Sequence, residues 1–305
     1  MGRVAFVFPG QGSQYVGMGK DWYERDPVAK NLCTQADAVM GFSLSTICFE
    51  GPEEILRQTA NTQPAIFLHS MILVRSINHL KPDVVAGHSL GEYSALVCAG
   101  AIGYEDALRL VRLRGELMQR AGEEHRGTMA AVVGLANDAV EEICREASSV
   151  GSVQPANFNS PGQVVISGSA EGVHKAMDIA KQQGAKLAKE LVVSGAFHSR
   201  LMQNAKDGLR KALDNTTIRD AAIPVYANVT AEPVTKASEV RELLFQQITS
   251  PVRWEQTVLN MVRDGVDQFY ELGPGKVLQG LVKRTETSVR VGGFDKYADI
   301  PRVVI

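Results

Sequence analysis

Ser89 stands between Gly87 and Gly91 in the stretch Asp83-Val84-Val85-Ala86-Gly87-His88-Ser89-Leu90-Gly91-Glu92-Tyr93. Gly-x-Ser-x-Gly after an apolar run is the spacing of a nucleophile elbow, in which a strand turns into a helix so sharply that the serine needs small neighbours on both sides. Such a turn exposes the hydroxyl and aims the free N–H groups of the helix N-terminus at whatever it attacks. A Gly-rich turn with a surface serine has the same letters. The context favours the elbow: Val84 to Ala86 reads as a strand core and Leu90 to Ala99 as helical.

A neutral serine is a poor nucleophile and needs a base. The chain has six histidines. His69 and His79 fall in an apolar helical stretch and read as structural. His125 and His174 sit in polar stretches and read as solvated. His88 adjoins the serine, but the next residue on an elbow projects to another side. His198, after Gly195-Ala196-Phe197 at a loop-to-helix junction, is left as either the base or a satisfied core histidine. No Asp or Glu occupies a matching loop to orient its ring. A backbone carbonyl or an amide can do that for the Nδ1–H. Arg114, among apolar neighbours on the helix after the elbow helix, reads as a snorkelling surface arginine like Arg109 and Arg112, or as a fixed fork for a substrate carboxylate.

These residues need a scaffold, and the apolar periodicity supplies one. Val4–Phe8 reads as a first buried strand, ending at Pro9-Gly10-Gln11-Gly12. Helices are predicted at about 26–40, 62–80, where Asn61-Thr62 precedes Pro64, and 104–121. From about 127 to 193 the pattern is strand, helix, strand, strand, helix, strand, the split motif of ferredoxin-like folds. Further strands at 225–228 and 268–271 alternate with helices, and the tail after Arg290 gives no pattern. The predicted class is α/β, with a large subdomain in two parts, 1–126 and 194–305, and an inserted ferredoxin-like small subdomain, 127–193.

Composition excludes several functions. The 305 residues are 45% hydrophobic and 22% charged, an ordinary globular balance. The net charge of −2 and the lack of a basic block argue against nucleic acid as a main partner. No apolar run approaches a membrane span, and no signal-peptide pattern opens the chain. Cys33, Cys48, Cys98 and Cys144 form no CxxC pair and read as small buried hydrophobes, with no metal site expected. Gly10-x-Gly12 lacks the third glycine of a dinucleotide fingerprint. Gly273-Pro274-Gly275-Lys276 lacks the Ser or Thr of a phosphate loop. Both read as turns, or as loops that bring N–H groups to a substrate.

In this order, the motifs give the chain a specific resemblance. Phe8-Pro9-Gly10-Gln11-Gly12-Ser13-Gln14, Gln63-Pro64-Ala65, Gly87-His88-Ser89-Leu90-Gly91-Glu92, Arg114-Gly115, Asn157, Gly162-Gln163-Val164-Val165-Ile166-Ser167-Gly168, Gly195-Ala196-Phe197-His198-Ser199, and Gln247 before Pro251-Val252-Arg253-Trp254 together resemble the bacterial-type malonyl-CoA:acyl carrier protein transacylases over nearly the whole length. The resemblance implies an α/β-hydrolase-like large subdomain, Ser89 as nucleophile, His198 as base, and a main-chain carbonyl of Gln247 in place of a triad acid. It implies an oxyanion hole from the N–H groups of Gln11 and Leu90. Arg114 would bind the malonyl carboxylate, with Gln63 and Asn157 lining the cleft. Phe197 would crowd an α-methyl group and disfavour methylmalonyl by about 1–3 kcal/mol. Malonyl-CoA and acyl carrier protein are the implied partners, with Lys186, Lys189, Lys283 and Arg284 as candidates for a basic rim. No bound cofactor is implied. The expected enzyme is a monomer of fatty acid synthesis, in the cytoplasm or in an organelle matrix or stroma after loss of a transit peptide. A serine esterase or thioesterase, and a silent scaffold that docks a carrier protein, are the alternatives.

Overall fold

The computed structural model describes residues 2–77 and 79–302. Two sheets carry the architecture. The first has six strands in the order Arg290–Phe294, Val266–Leu272, Arg3–Phe8, Val84–Gly87, Val225–Tyr226, Pro233–Val234. All its neighbours are parallel except the last pair. Arg3–Phe8 is central, and Ala5, Val7, Val84 and Ala86 face one apolar cluster while Phe6, Phe8 and Val85 face another. A strand buried on both faces reads as a continuous apolar run, and that is how its letters read.

From Arg3–Phe8 the chain crosses to Val84–Gly87 on one side, whereas Val266–Leu272 leads to Arg290–Phe294 on the other. Two neighbouring parallel strands whose connections diverge leave a crevice at their carboxyl ends, the usual ligand position of an open α/β sheet. The loops Pro9–Ser13 and Gly273–Lys276 flank that crevice.

The second sheet is antiparallel, in the order Val153–Ser160, Gln163–Ser169, Gly127–Val133, Leu187–Glu190. Helices Asn137–Ala147 and Ala170–Gln182 pack on it around Val132, Val140, Ile143, Ile166 and Val173. The second sheet is tied backbone to backbone to the segment just before helix Trp254–Arg263: Phe158 donates its N–H to Val252 O (2.9 Å), and Val252 donates to Ala156 O (2.8 Å).

Several expectations are corrected. The buried helix runs from Thr59 to Ser76 with Pro64 inside it, rather than starting at Asn61-Thr62. Pro64 sits within the early turns, and Thr62 turns its hydroxyl back to Leu56 O (2.5 Å) rather than capping. His79 lies beyond that helix and is exposed, so it is not a core residue. The tail after Arg290 holds an edge strand, hidden from pattern reading by Gly292-Gly293. Short helices Lys20–Arg25, Leu44–Glu50 and Glu53–Leu56 have too few turns to show periodicity. Arg112 is half-buried and donates to Glu116 and to Met40 O, unlike the exposed Arg109. Cys98 is only partly buried; the other three cysteines are buried, and burial raises all four thiols.

Candidate active site

The turn after Val84–Gly87 is an elbow for steric reasons. A Cβ on Gly87 would lie 1.8 Å from the Gly91 carbonyl carbon, and one on Gly91 would lie 2.0 Å from Phe8 O. Strand, turn and helix Gly91–Cys98 are therefore pressed together as only two glycines allow. Ser89 between them takes φ 52°, a left-handed conformation that a non-glycine residue holds only where its surroundings enforce it. Asn228 supplies part of that enforcement: it accepts the Ser89 N–H at Oδ1 (2.7 Å) and donates Nδ2 to Gly87 O (2.6 Å).

His198 is the second strained residue, at φ 56°. It is buried, and its carbonyl accepts from Gln154 Nε2 (3.0 Å) on the second sheet. Its Nδ1 faces two carbonyl oxygens, Gln247 O at 3.0 Å and Ser250 O at 3.1 Å. Carbonyls only accept, so Nδ1 carries the proton and Nε2 presents a lone pair. That nitrogen lies 2.8 Å from Ser89 Oγ. Burial, then the Arg114 charge, and more weakly His88 push the imidazole from 6.5 down to about 3, against the two carbonyls that favour its protonation. The ring is thus neutral near neutral pH, with its Nε2 lone pair turned to Ser89 Oγ.

Arg114 is 1% exposed. It donates Nη2 to Ser89 Oγ (3.0 Å) and to Gln247 Oε1 (2.9 Å), and Nη1 to Gln63 Oε1 (2.7 Å). Burial pulls its pKa down, but a guanidinium starts high enough to stay charged. Among the described residues no carboxylate pairs with it, and its Nε finds no acceptor. A buried cation without a salt-bridge partner is costly.

Ser89, His198, Arg114 and Gln63 line one cavity of about 260 Å³ with Gly10, Gln11, Leu90, Met118, Asn157, Gln163, Phe197 and Leu278. It opens between the two sheets at the crevice described above. Among the described residues, neither the Gln11 N–H nor the Leu90 N–H donates to a protein acceptor. The Gln11 side chain is tied back to Thr59 Oγ1 (3.2 Å), which shares a hydrogen bond with Ser194 Oγ (2.8 Å). In the second glycine-rich loop, Gly273 N–H is taken by Phe294 O and Gly275 N–H by Asp295, and in the helix that follows Glu271 takes Leu278 and Gln279 N–H. At the rim, Arg284 donates to Gln163 Oε1 (2.9 Å), whereas Lys283 is turned onto Thr287 O and Val289 O; Lys186 and Lys189 are exposed.

Three contributors escaped sequence reading. Asn228, Gln154 and Ser250 belong to no motif, and Ser250 acts through its backbone. His88 is half-buried and turned away from Ser89, with Nε2 2.9 Å from Asn159 Oδ1. Glu92 lies inside the recognised motif, but only the fold shows what it touches.

A parallel-rich α/β sheet with an elbow serine, a neutral imidazole and a buried guanidinium in one cleft fits the class of acyltransferases. Residues 5–303 match the acyl transferase domain family. A malonyl CoA-acyl carrier protein transacylase of Bacillus subtilis is 46% identical over 95% of this chain and 92% of its own. The crystal structure of an acyl carrier protein S-malonyltransferase from Vibrio cholerae superposes with a TM-score of 0.96 at 42% identity, covering 99% of this chain and 100% of that one. A malonyl-transacylase solved in complex with a type II polyketide-synthase acyl carrier protein gives 0.94 at 42% identity, with 97% of each chain covered. The chain belongs to the malonyl CoA-acyl carrier protein transacylase family.

Proposed function

We propose that this acyltransferase carries malonyl from malonyl-CoA to the phosphopantetheine thiol of acyl carrier protein, through a malonyl ester on Ser89, supplying fatty acid synthesis. The observation that carries the reading is one hydroxyl, Ser89 Oγ, held between His198 Nε2 at 2.8 Å and Arg114 Nη2 at 3.0 Å. The first contact supports a general base, the second a site for the free carboxylate. The family's malonyl relatives and the carrier complex of one neighbour support the two substrates.

In the first half-reaction the malonyl carboxylate takes up Arg114. Ser89 Oγ attacks the thioester carbonyl and its proton passes to His198 Nε2. The oxyanion rests on the N–H groups of Gln11 and Leu90, each lowering the barrier by roughly 3 kcal/mol. The C–S bond then breaks, and the imidazolium gives its proton to the departing CoA sulfur. In the second, the carrier's thiol gives its proton to His198 and attacks the ester; the C–O bond breaks and Ser89 recovers the proton. One base serves both directions, so the kinetics are ping-pong. The carbonyls of Gln247 and Ser250 hold the imidazole without a carboxylate, which keeps it a mild base suited to reversible exchange. We take residues 127–193 as a ferredoxin-like unit set into an α/β-hydrolase-like body, the cleft lying between them.

The test is product analysis with malonyl-CoA and holo acyl carrier protein. Malonyl-carrier should form in a Ser89-dependent way and exceed free malonate by far. Free malonate as the main product would make the protein a thioesterase instead.

A further inference from the structure

A carboxylate with no part in the transfer steps sits directly behind the elbow. Glu92 is 3% exposed and lies three residues past Ser89. Its Oε2 accepts two hydrogen bonds, from Gln247 Nε2 (2.7 Å) and from Asn228 N (3.1 Å). The donors lead to different parts of the site. Asn228 clamps the elbow by its contacts to Ser89 N and Gly87 O. Gln247 gives its Nε2 also to Ser89 O (3.0 Å) and accepts Arg114 Nη2 at Oε1.

An amide has a donor end and an acceptor end, and a wrongly turned Gln247 would set its NH2 against the guanidinium. Oε2 of Glu92 accepts here whether or not the other oxygen carries a proton, so Glu92 decides which end of Gln247 faces it and therefore which end faces Arg114. The guanidinium is in this way held by two neutral amide oxygens, from Gln63 and Gln247. It is fixed without being neutralised. A carboxylate placed directly on Arg114 would fix it equally well but compete with the substrate's own.

We propose that Glu92 is a positioning residue for donor selection: its Oε2 fixes the Gln247 amide so that Arg114 is aimed at the carboxylate of the incoming acyl group. The assignment rests on the carboxylate-binding role proposed above for Arg114. Burial raises the Glu92 carboxyl from 4.5 to about 7, against its two hydrogen bonds and the Arg114 charge, so the fold keeps this acid at a cost.

Three variants test it: Glu92→Leu, Gln247→Leu, which keeps the main-chain carbonyl on His198, and Glu92→Gln, which keeps an acceptor oxygen but loses the charge. Acylation by malonyl-CoA and by acetyl-CoA is measured for each, with folding checked by urea unfolding. Glu92→Leu and Gln247→Leu should each lower the malonyl-to-acetyl ratio of kcat/KM about tenfold, mainly through the malonyl KM, and the double variant should be no worse than either alone. Glu92→Gln should hold the ratio within about twofold, and decides alone if Glu92→Leu does not fold. An unchanged ratio in the Leu variants, equal loss on both donors, or a Glu92→Gln ratio as low as that of Gln247→Leu would overturn the assignment. If the wild type takes no malonyl at all, the transfer reading falls with it; a wild type that acylates normally confines any failure to Glu92.

Discussion

In the proposed reaction, Arg114 is the residue on which donor choice turns. It is buried, charged and without a salt-bridge partner among the described residues, and under the proposed function the malonyl carboxylate relieves the electrostatic cost of that burial while an acetyl group does not. Arg114→Ala should cut malonyl kcat/KM by about a hundredfold or more while acetyl transfer changes far less, the size of a lost charge-assisted pair. Steady-state kinetics on both donors check this, and equal loss would contradict it. His198 gives a pH signature. Its imidazole, lowered to about 3, is neutral in the free enzyme well below the ordinary 6.5. The acid limb of acetyl kcat/KM, which reports free-enzyme groups, should therefore lie well below pH 6.5. A midpoint at 6.5 would show that the imidazole titrates as if solvated.

At the scale of elements, the elbow tolerates little. Gly91→Ala sets a methyl 2.0 Å from Phe8 O, a backbone atom of the central strand that cannot yield alone. The variant should lose several kcal/mol of stability, on the order of 3 or more, seen as a lower urea midpoint; a wild-type midpoint would mean that strand and turn are free to part. The same tightness explains what could be read in the letters. Gly-x-Ser-x-Gly, the apolar strand before it and the long amphipathic helix Tyr104–Glu124 announce themselves because each follows from local sterics or regular burial. Helix Asn137–Ala147 is legible to the residue for that reason. The buried helix is not, at its start, because a proline tolerated inside its early turns looks like a helix opening. Strand Leu187–Glu190 ends sooner than its apolar letters suggest: Leu191 keeps one backbone bond to Met129 O (2.8 Å), and its side chain and that of Val193 line the cavity.

Across the whole molecule, the site exists only where distant segments meet. Gln247 is 49 residues from His198 and 133 from Arg114, yet touches both. Side-chain identities there were legible through motifs. The supporting contacts were not, because a backbone carbonyl such as Ser250 O has no letter of its own, and Asn228 and Gln154 act by position alone. Stability should carry the mark of this assembly. Glu92 binds its proton more tightly folded, with the carboxyl raised to about 7 from 4.5. Between those values the folded chain holds a proton that the unfolded chain has lost, so its contribution is full below pH 4.5 and is lost as pH rises through 7. Glu92→Gln lacks this titration and should gain stability relative to wild type between pH 5 and 7.5, read as urea midpoints at both pH values. A gap that stays constant, or moves the other way, would mean the carboxyl is ionised throughout.

The most direct measurement is the intact mass of the protein after brief mixing with malonyl-CoA, followed by peptide mapping of any adduct. One malonyl group should be found, on the peptide holding Ser89, discharged on adding holo acyl carrier protein, absent from Ser89→Ala and slow to form in His198→Ala. An adduct on another residue, or carrier malonylation at full rate by Ser89→Ala, would contradict the serine-ester route.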